Sequence, residues 1–123
     1  MAIHVALNEI GAQFELKNVS VPNGQPKSPD LLKVNPRGAV PVIEIDGFIL
    51  REGAAILTYL LDTHKSELLP QSGLERAAAL EWLAFANSSL HPAYSRLFFM
   101  MKTLGAKMRD NELYKPSVAA VQK

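Results

Sequence analysis

Val40-Pro41, Glu52-Gly53 and Leu90-His91 hold the residues whose types and spacing could do chemistry. Val40 to Ile45 reads as a buried strand with a proline near its head. Proline lacks the backbone donor that a ladder needs and belongs at strand edges or special sites. A Val-Pro there points to something other than the sheet using that backbone; the bland alternative is a trans proline ending a loop. Gly53 opens a helical pattern, and a helix N-terminus receives carboxylates through its unpaired N–H groups. Glu52, just before it, reads equally well as a solvated carboxylate that favours the helix dipole. His91 stands before Pro92 in a long helical pattern, where an imidazole also serves as a helix cap. The three histidines, His4, His64 and His91, show no metal-ligand spacing, so no metal is expected. The absence of cysteine excludes disulfides, thiolate metal sites and a protein thiol nucleophile.

The elements that must position these residues follow from composition and periodicity. A chain of 123 residues, 48% hydrophobic and 20% charged, is one globular domain, or one small domain and part of another. A net charge of +1 without a basic block argues against nucleic acid as a partner. No run approaches the roughly 18 apolar residues of a membrane helix, and no signal-peptide pattern follows Met1. A cytoplasmic protein that does not engage membranes is the expectation.

Ile3, Leu7 and Ile10 share one helix face, and Gly11 stands where a glycine ends a helix. Phe14 and Leu16 alternate with Glu15 and Lys17, the period of a strand. Asn23 to Pro29 reads as a loop, and Ser28-Pro29 as the cap and first position of a short helix. Asp46-Gly47 between two apolar runs is a hairpin signal. The helix from Gly53 to His64 is apolar around most of its surface, which predicts extensive burial. A longer helical pattern runs from Leu74 to Leu104, with Leu83, Leu90, Leu97 and Leu104 forming a seam. Pro92 interrupts it, because its ring clashes with the Ser88 carbonyl, and a kink is expected there. Another helix starts around Lys115-Pro116.

Several stretches stand in a telling order. They are Asn35-Pro36-Arg37-Gly38 leading into Val40-Pro41, Arg51-Glu52-Gly53 before Ala55-Ile56, Tyr59-Leu60, Glu81-Trp82-Leu83, Leu90-His91 and Tyr114-Lys115-Pro116. With them the chain resembles the glutathione transferases, and the bacterial beta class most closely. The resemblance implies an α/β fold: a thioredoxin-like domain over 1–67, then from 72–123 the start of an all-α domain. It implies a cis Val40-Pro41 bond, with the valine backbone pairing with the cysteinyl backbone of glutathione as an added strand would. It implies that the γ-glutamyl carboxylate sits at Gly53 and its ammonium at Glu52. His91 would hold or activate the glutathione sulfur. A usual family lysine is Pro92 here, and an asparagine that reaches the partner's glutathione is Ala84; both departures weaken that half of the site.

The implied activity is addition of the glutathione thiolate to a small electrophile. Tyr94, Phe98 and Met101 either line the electrophile pocket or pack in a core. The alternative is a non-catalytic module of the same family that binds a ligand or partner. Family members begin with a strand and a loop carrying a catalytic Cys, Ser or Tyr. This sequence starts inside the following helix, so a chain truncated at both ends is expected. The missing strand is a central one, and each buried unpaired donor or acceptor would cost about 1–3 kcal/mol. Three outcomes stay open: the Phe14 strand shifts into the slot, another copy supplies a strand, or the chain is a fragment. The leucine seam and the open sheet together predict a homo-oligomer, an intertwined dimer.

Overall fold

The computed structural model describes residues 2–19 and 28–122. The loop expected at Asn23 lies outside them. The chain divides into two compact units, Met1–Arg76 and Ala77–Lys123.

In the first unit, helix α1 spans Ala2–Glu9. It ends as Gly11 predicts: Gly11 has φ +65°, its N–H donates to the Asn8 carbonyl, and the Ala12 N–H reaches back to Leu7. This is the paired hydrogen bonding of a Schellman ending, which glycine enters at no steric cost. Helix α2, Pro29–Val34, starts on its proline, but the Ser28 side chain makes no capping bond. Strands β1 (Val42–Ile45) and β2 (Phe48–Arg51) pair antiparallel, with Val42 opposite Arg51 and Ile45 opposite Phe48. Asp46 and Gly47 connect them at φ +50° and +81°. Positive φ at both central residues marks a type I′ turn, whose twist matches that of the flanking strands.

Helix α3, Gly53–Thr63, follows directly. It ends in a second Schellman pattern, with Lys65 at φ +48° and the Ser66 N–H bonded to the Leu61 carbonyl at 2.9 Å. Ile3 of α1 and Ile56 and Leu60 of α3 form the core, with Leu7, Ile10, Ile43, Leu50 and Leu57 packed against it. Ile56 is wholly buried. The expected extensive burial of α3 is realised only in part: Ile56 and Leu60 are fully covered, most other positions are half-buried, and Tyr59 is exposed. Helix α1 and the hairpin pack on part of the α3 surface and leave the rest open.

The strand expected at Phe14 and Leu16 does not form. The only sheet among the described residues is the β1–β2 pair, and residues 12–19 join no ladder. Alternation alone does not make a strand, because its backbone groups need a partner. Phe14 instead sets its ring edge-on to His4, with centroids 5.2 Å apart. The suggestion that this segment slides beside β1 is therefore wrong.

Helix α4 (Gly73–Phe85) passes through a π turn (Ala86–Leu90) into helix α5 (His91–Leu104). The π turn accommodates Pro92. The His91 N–H reaches the Ala86 carbonyl, one residue further than in an α-helix, and this wider turn lies directly before the ring that cannot donate. A 3-10 turn (Gly105–Asp110) leads to helix α6 (Tyr114–Val121), which packs on α5. Met100 and Ser117 are the buried residues of these helices.

Arg76 closes the first unit. Its Nη1 and Nη2 donate to Asp62 Oδ1 and Oδ2 at 2.7 and 2.8 Å, and Nη1 also reaches the Pro70 carbonyl at 3.0 Å. Hydrogen bonding from Arg76, aided by its charge, holds the Asp62 carboxyl below its ordinary value of 3.8, against the opposing effect of burial. A carboxyl with a lowered folded pKa contributes stability above its unfolded pKa and loses it as pH falls through the folded value. Asp62→Asn should therefore lower the melting temperature at neutral pH. Thermal melts should show the gap to wild type narrowing below about pH 4.

Candidate functional site

The site is assembled from the loop after α2 and the junction of β2 with α3. Asn35 controls the loop. It is only 2% exposed, and its backbone N–H closes α2 on the Leu31 carbonyl at 2.7 Å. Its Nδ2 donates to the Ala39 carbonyl at 2.8 Å, while its Oδ1 accepts the Arg37 N–H at 3.3 Å. The Gly38 N–H bonds the Asn35 carbonyl at 2.7 Å. One buried residue thus fixes the turn that delivers Val40.

The Val40–Pro41 bond is cis. Val40 lies ahead of β1, is 62% exposed, and its backbone N–H and carbonyl make no hydrogen bond to the described residues. Pro41 meets the start of α3: a Cβ placed on Gly53 would sit 3.9 Å from Pro41 Cγ. That is ordinary contact, so packing at this point does not demand glycine.

Arg51, the last residue of β2, turns its guanidinium onto the C-terminal carbonyl of α2. Its Nε donates to the Val34 carbonyl at 2.8 Å, and Nη2 donates to the same oxygen. A cation there complements the negative end of the helix. Glu52 follows with φ +71°, a left-handed conformation that side chains other than glycine rarely adopt. Its carbonyl accepts the Ile56 N–H at 3.0 Å, while its side chain makes no cap on α3. The carboxylate instead pairs with Arg37, Nη1 to Oε1, at 2.9 Å.

Of the residues expected to act, the structure brings Val40, Pro41, Glu52 and Gly53 together in the first unit. His91 belongs to the second. It is exposed, its N–H is used by the π turn, and its carbonyl accepts the Ser95 hydroxyl at 2.9 Å. Tyr94, Phe98 and Met101 are also exposed, so core packing within their own unit is not their role. Among the described residues, no group of three or more His, Cys, Asp or Glu could hold a metal ion.

Asn35, Arg37 and Arg51 have structural roles that the sequence reading left unassigned. An Asn-Pro dipeptide signals a turn, which is the trace Asn35 leaves in the sequence. The ion pair and the helix-end contact join residues distant in the chain and leave no local signal.

Comparison with known proteins identifies the family. The profile of the family described as "Glutathione S-transferase, N-terminal domain" matches residues 1–62. The chain belongs to the glutathione S-transferase family. The glutathione S-transferase GST-4.5 of Xanthomonas campestris pv. campestris is 40% identical over 100 residues, covering 80% of this chain and 48% of that protein. A beta-class glutathione S-transferase of Sphingomonas chungbukensis superposes with a TM-score of 0.71 at 34% identity, over 98% of this chain and 59% of the other. A family member from Pseudomonas fluorescens Pf-5, solved with two glutathione bound, gives a TM-score of 0.84 at 28% identity, over 98% and 55%. The chain spans about half the length of the curated relatives it matches.

Asn35→Ala should destabilise the first unit by about 1–3 kcal/mol, because two part-buried hydrogen bonds, to Ala39 and Arg37, are lost and each contributes about 0.5–1.5 kcal/mol. Urea denaturation reads the loss, and hydrogen exchange should speed up at the Gly38 amide.

Proposed function

We propose that the first unit binds glutathione and that the protein is a glutathione transferase acting on small electrophiles. The observation that carries this reading is that exposed Val40, with its backbone unpaired, is followed by Pro41 lying beside Gly53 at the start of α3, where an added Cβ would be 3.9 Å from Pro41 Cγ. An extended peptide gains main-chain hydrogen bonds at such an edge. The uncapped N-terminus of α3 is suited to the γ-glutamyl carboxylate. The Glu52 carboxylate is suited to the γ-glutamyl ammonium.

Binding of this kind orients the tripeptide. In conjugation the thiol releases its proton to solvent, the thiolate sulfur bonds to the electrophilic carbon, and with an aryl halide the carbon–halogen bond breaks and halide leaves with its electron pair. A free thiol has a pKa near 8.5, which falls beside cations and helix N-termini. His91 enters the proposal through the resemblance, as the imidazole that holds or activates the sulfur. No described helix is long and apolar enough to cross a membrane. We assign the protein to the cytoplasm, where glutathione is abundant and thiols stay reduced.

Calorimetry tests the binding half of the proposal. Glu52→Ala should weaken glutathione binding by about 10–100-fold, the effect of leaving an ammonium unpaired. Equal affinity of the variant and wild type would refute the site. A conjugation assay with an aryl halide tests the other half. Binding without turnover would favour the non-catalytic module.

The same proposal includes a homodimer, intertwined through the leucine seam. Leu83, Leu97 and Leu104 are only half-buried and Leu90 is 38% exposed, with Trp82 and Phe99 each 70% exposed nearby in the sequence. Full burial of a leucine contributes about 1.5–3 kcal/mol, so this face gains by meeting a second copy. Sedimentation at micromolar concentration should show no folded 13.5 kDa monomer. Leu90→Asp and Leu97→Asp should unfold the chain rather than release soluble monomers.

A further inference from the structure

Arg37 has no role in the binding scheme above, yet the structure places it at the centre of the site. Its Nη1 lies 2.9 Å from Glu52 Oε1. Both partners stand on anchored backbone. The Arg37 N–H is tied to Asn35 Oδ1, and Glu52 follows Arg51, whose guanidinium grips the Val34 carbonyl. These contacts close a ring that runs from Val34 through Asn35 to Arg37, across the ion pair to Glu52, and back through Arg51 to Val34. The ring joins the loop that presents Val40 to the residue that precedes α3.

We propose that Arg37 is a positioning residue for the glutathione site, acting through Glu52 by holding its carboxylate where the ligand ammonium meets it. The inference rests on the glutathione reading. At φ +71° the Glu52 backbone sets the direction in which the side chain leaves, but that side chain is 60% exposed and otherwise free to rotate. A guanidinium on Oε1 limits that rotation. A carboxylate offers about four lone-pair sites on its two oxygens, so Oε2 can still accept an ammonium. The competing reading is an ordinary exposed ion pair, which often contributes nothing measurable.

The experiment uses the full chain and two ligands: glutathione, and its desamino analogue in which hydrogen replaces the γ-glutamyl amino group. Calorimetric titrations of wild type, Arg37→Ala, Arg37→Gln and Arg37→Lys are compared. Loss of the guanidinium should weaken glutathione binding by about two- to fivefold, the scale of an exposed ion pair. It should leave affinity for the analogue unchanged, and Arg37→Lys should recover part of the loss. In a Glu52→Gln background, Arg37→Ala should add no further effect. Affinity unchanged or tightened by Arg37→Ala and Arg37→Gln overturns the inference. So does equal weakening of both ligands, which would mean direct contact with a ligand carboxylate or a loosened loop. A wild-type chain that binds neither ligand overturns the glutathione reading itself, an outcome distinct from a wild type that binds and an Arg37 variant that binds equally well.

Discussion

The guanidinium of Arg51 on the carbonyl of Val34 is the interaction on which the site depends. It joins the last residue of the hairpin to the last residue of α2. With the burial of Leu31, this tie fixes α2 at one end of the loop from Asn35 to Pro41. With it, the loop has fixed ends, and the Asn35 side chain can hold its middle. The contact is also favourable in itself. The final carbonyls of a helix lack intrahelical donors and carry the negative end of its dipole, and a planar cation with several donors satisfies both needs.

The left-handed residue Glu52 is held by neighbours on both sides. Such conformations in residues other than glycine cost of order 1–3 kcal/mol and persist only where the surroundings over-determine them. Here Arg51 is anchored before it, and Ile56 is buried one helical turn after it. The strand can then stop and α3 begin within a single residue. That abrupt junction brings the first turn of α3 against Pro41, next to Val40.

The second unit is built by a different logic. Its helices bury Met100 and Ser117 and leave Trp82, Phe98 and Phe99 exposed. Its regular feature is the path through Pro92. A proline inside an α-helix loses a hydrogen bond and meets the carbonyl of the preceding turn, whereas a π turn spreads that region by one residue. Helical hydrogen bonding passes through this turn, and His91 comes to lie at the start of α5.

The elements that local chemistry controls were legible in the sequence. Asp46-Gly47 demanded positive φ at two adjacent residues, and the structure has it there. Gly11 ended α1 and Pro29 opened α2, each because one residue type fits one backbone conformation. Val40, Pro41, Glu52 and Gly53 could be singled out through the order of short motifs. What tertiary structure decided depends on groups far apart in the chain. Phe14 and Leu16 had the alternation of a strand, but a ladder needs a second backbone, and none among the described residues pairs with them. Asn35 reads as a turn residue, and only packing shows that it is buried and serves both sides of the loop. The Arg37–Glu52 pair and the Arg51–Val34 contact each span more than a dozen residues. A sequence determines torsion angles wherever glycine, proline or asparagine restricts them, whereas partners for long side chains exist only once the backbone has brought them within reach.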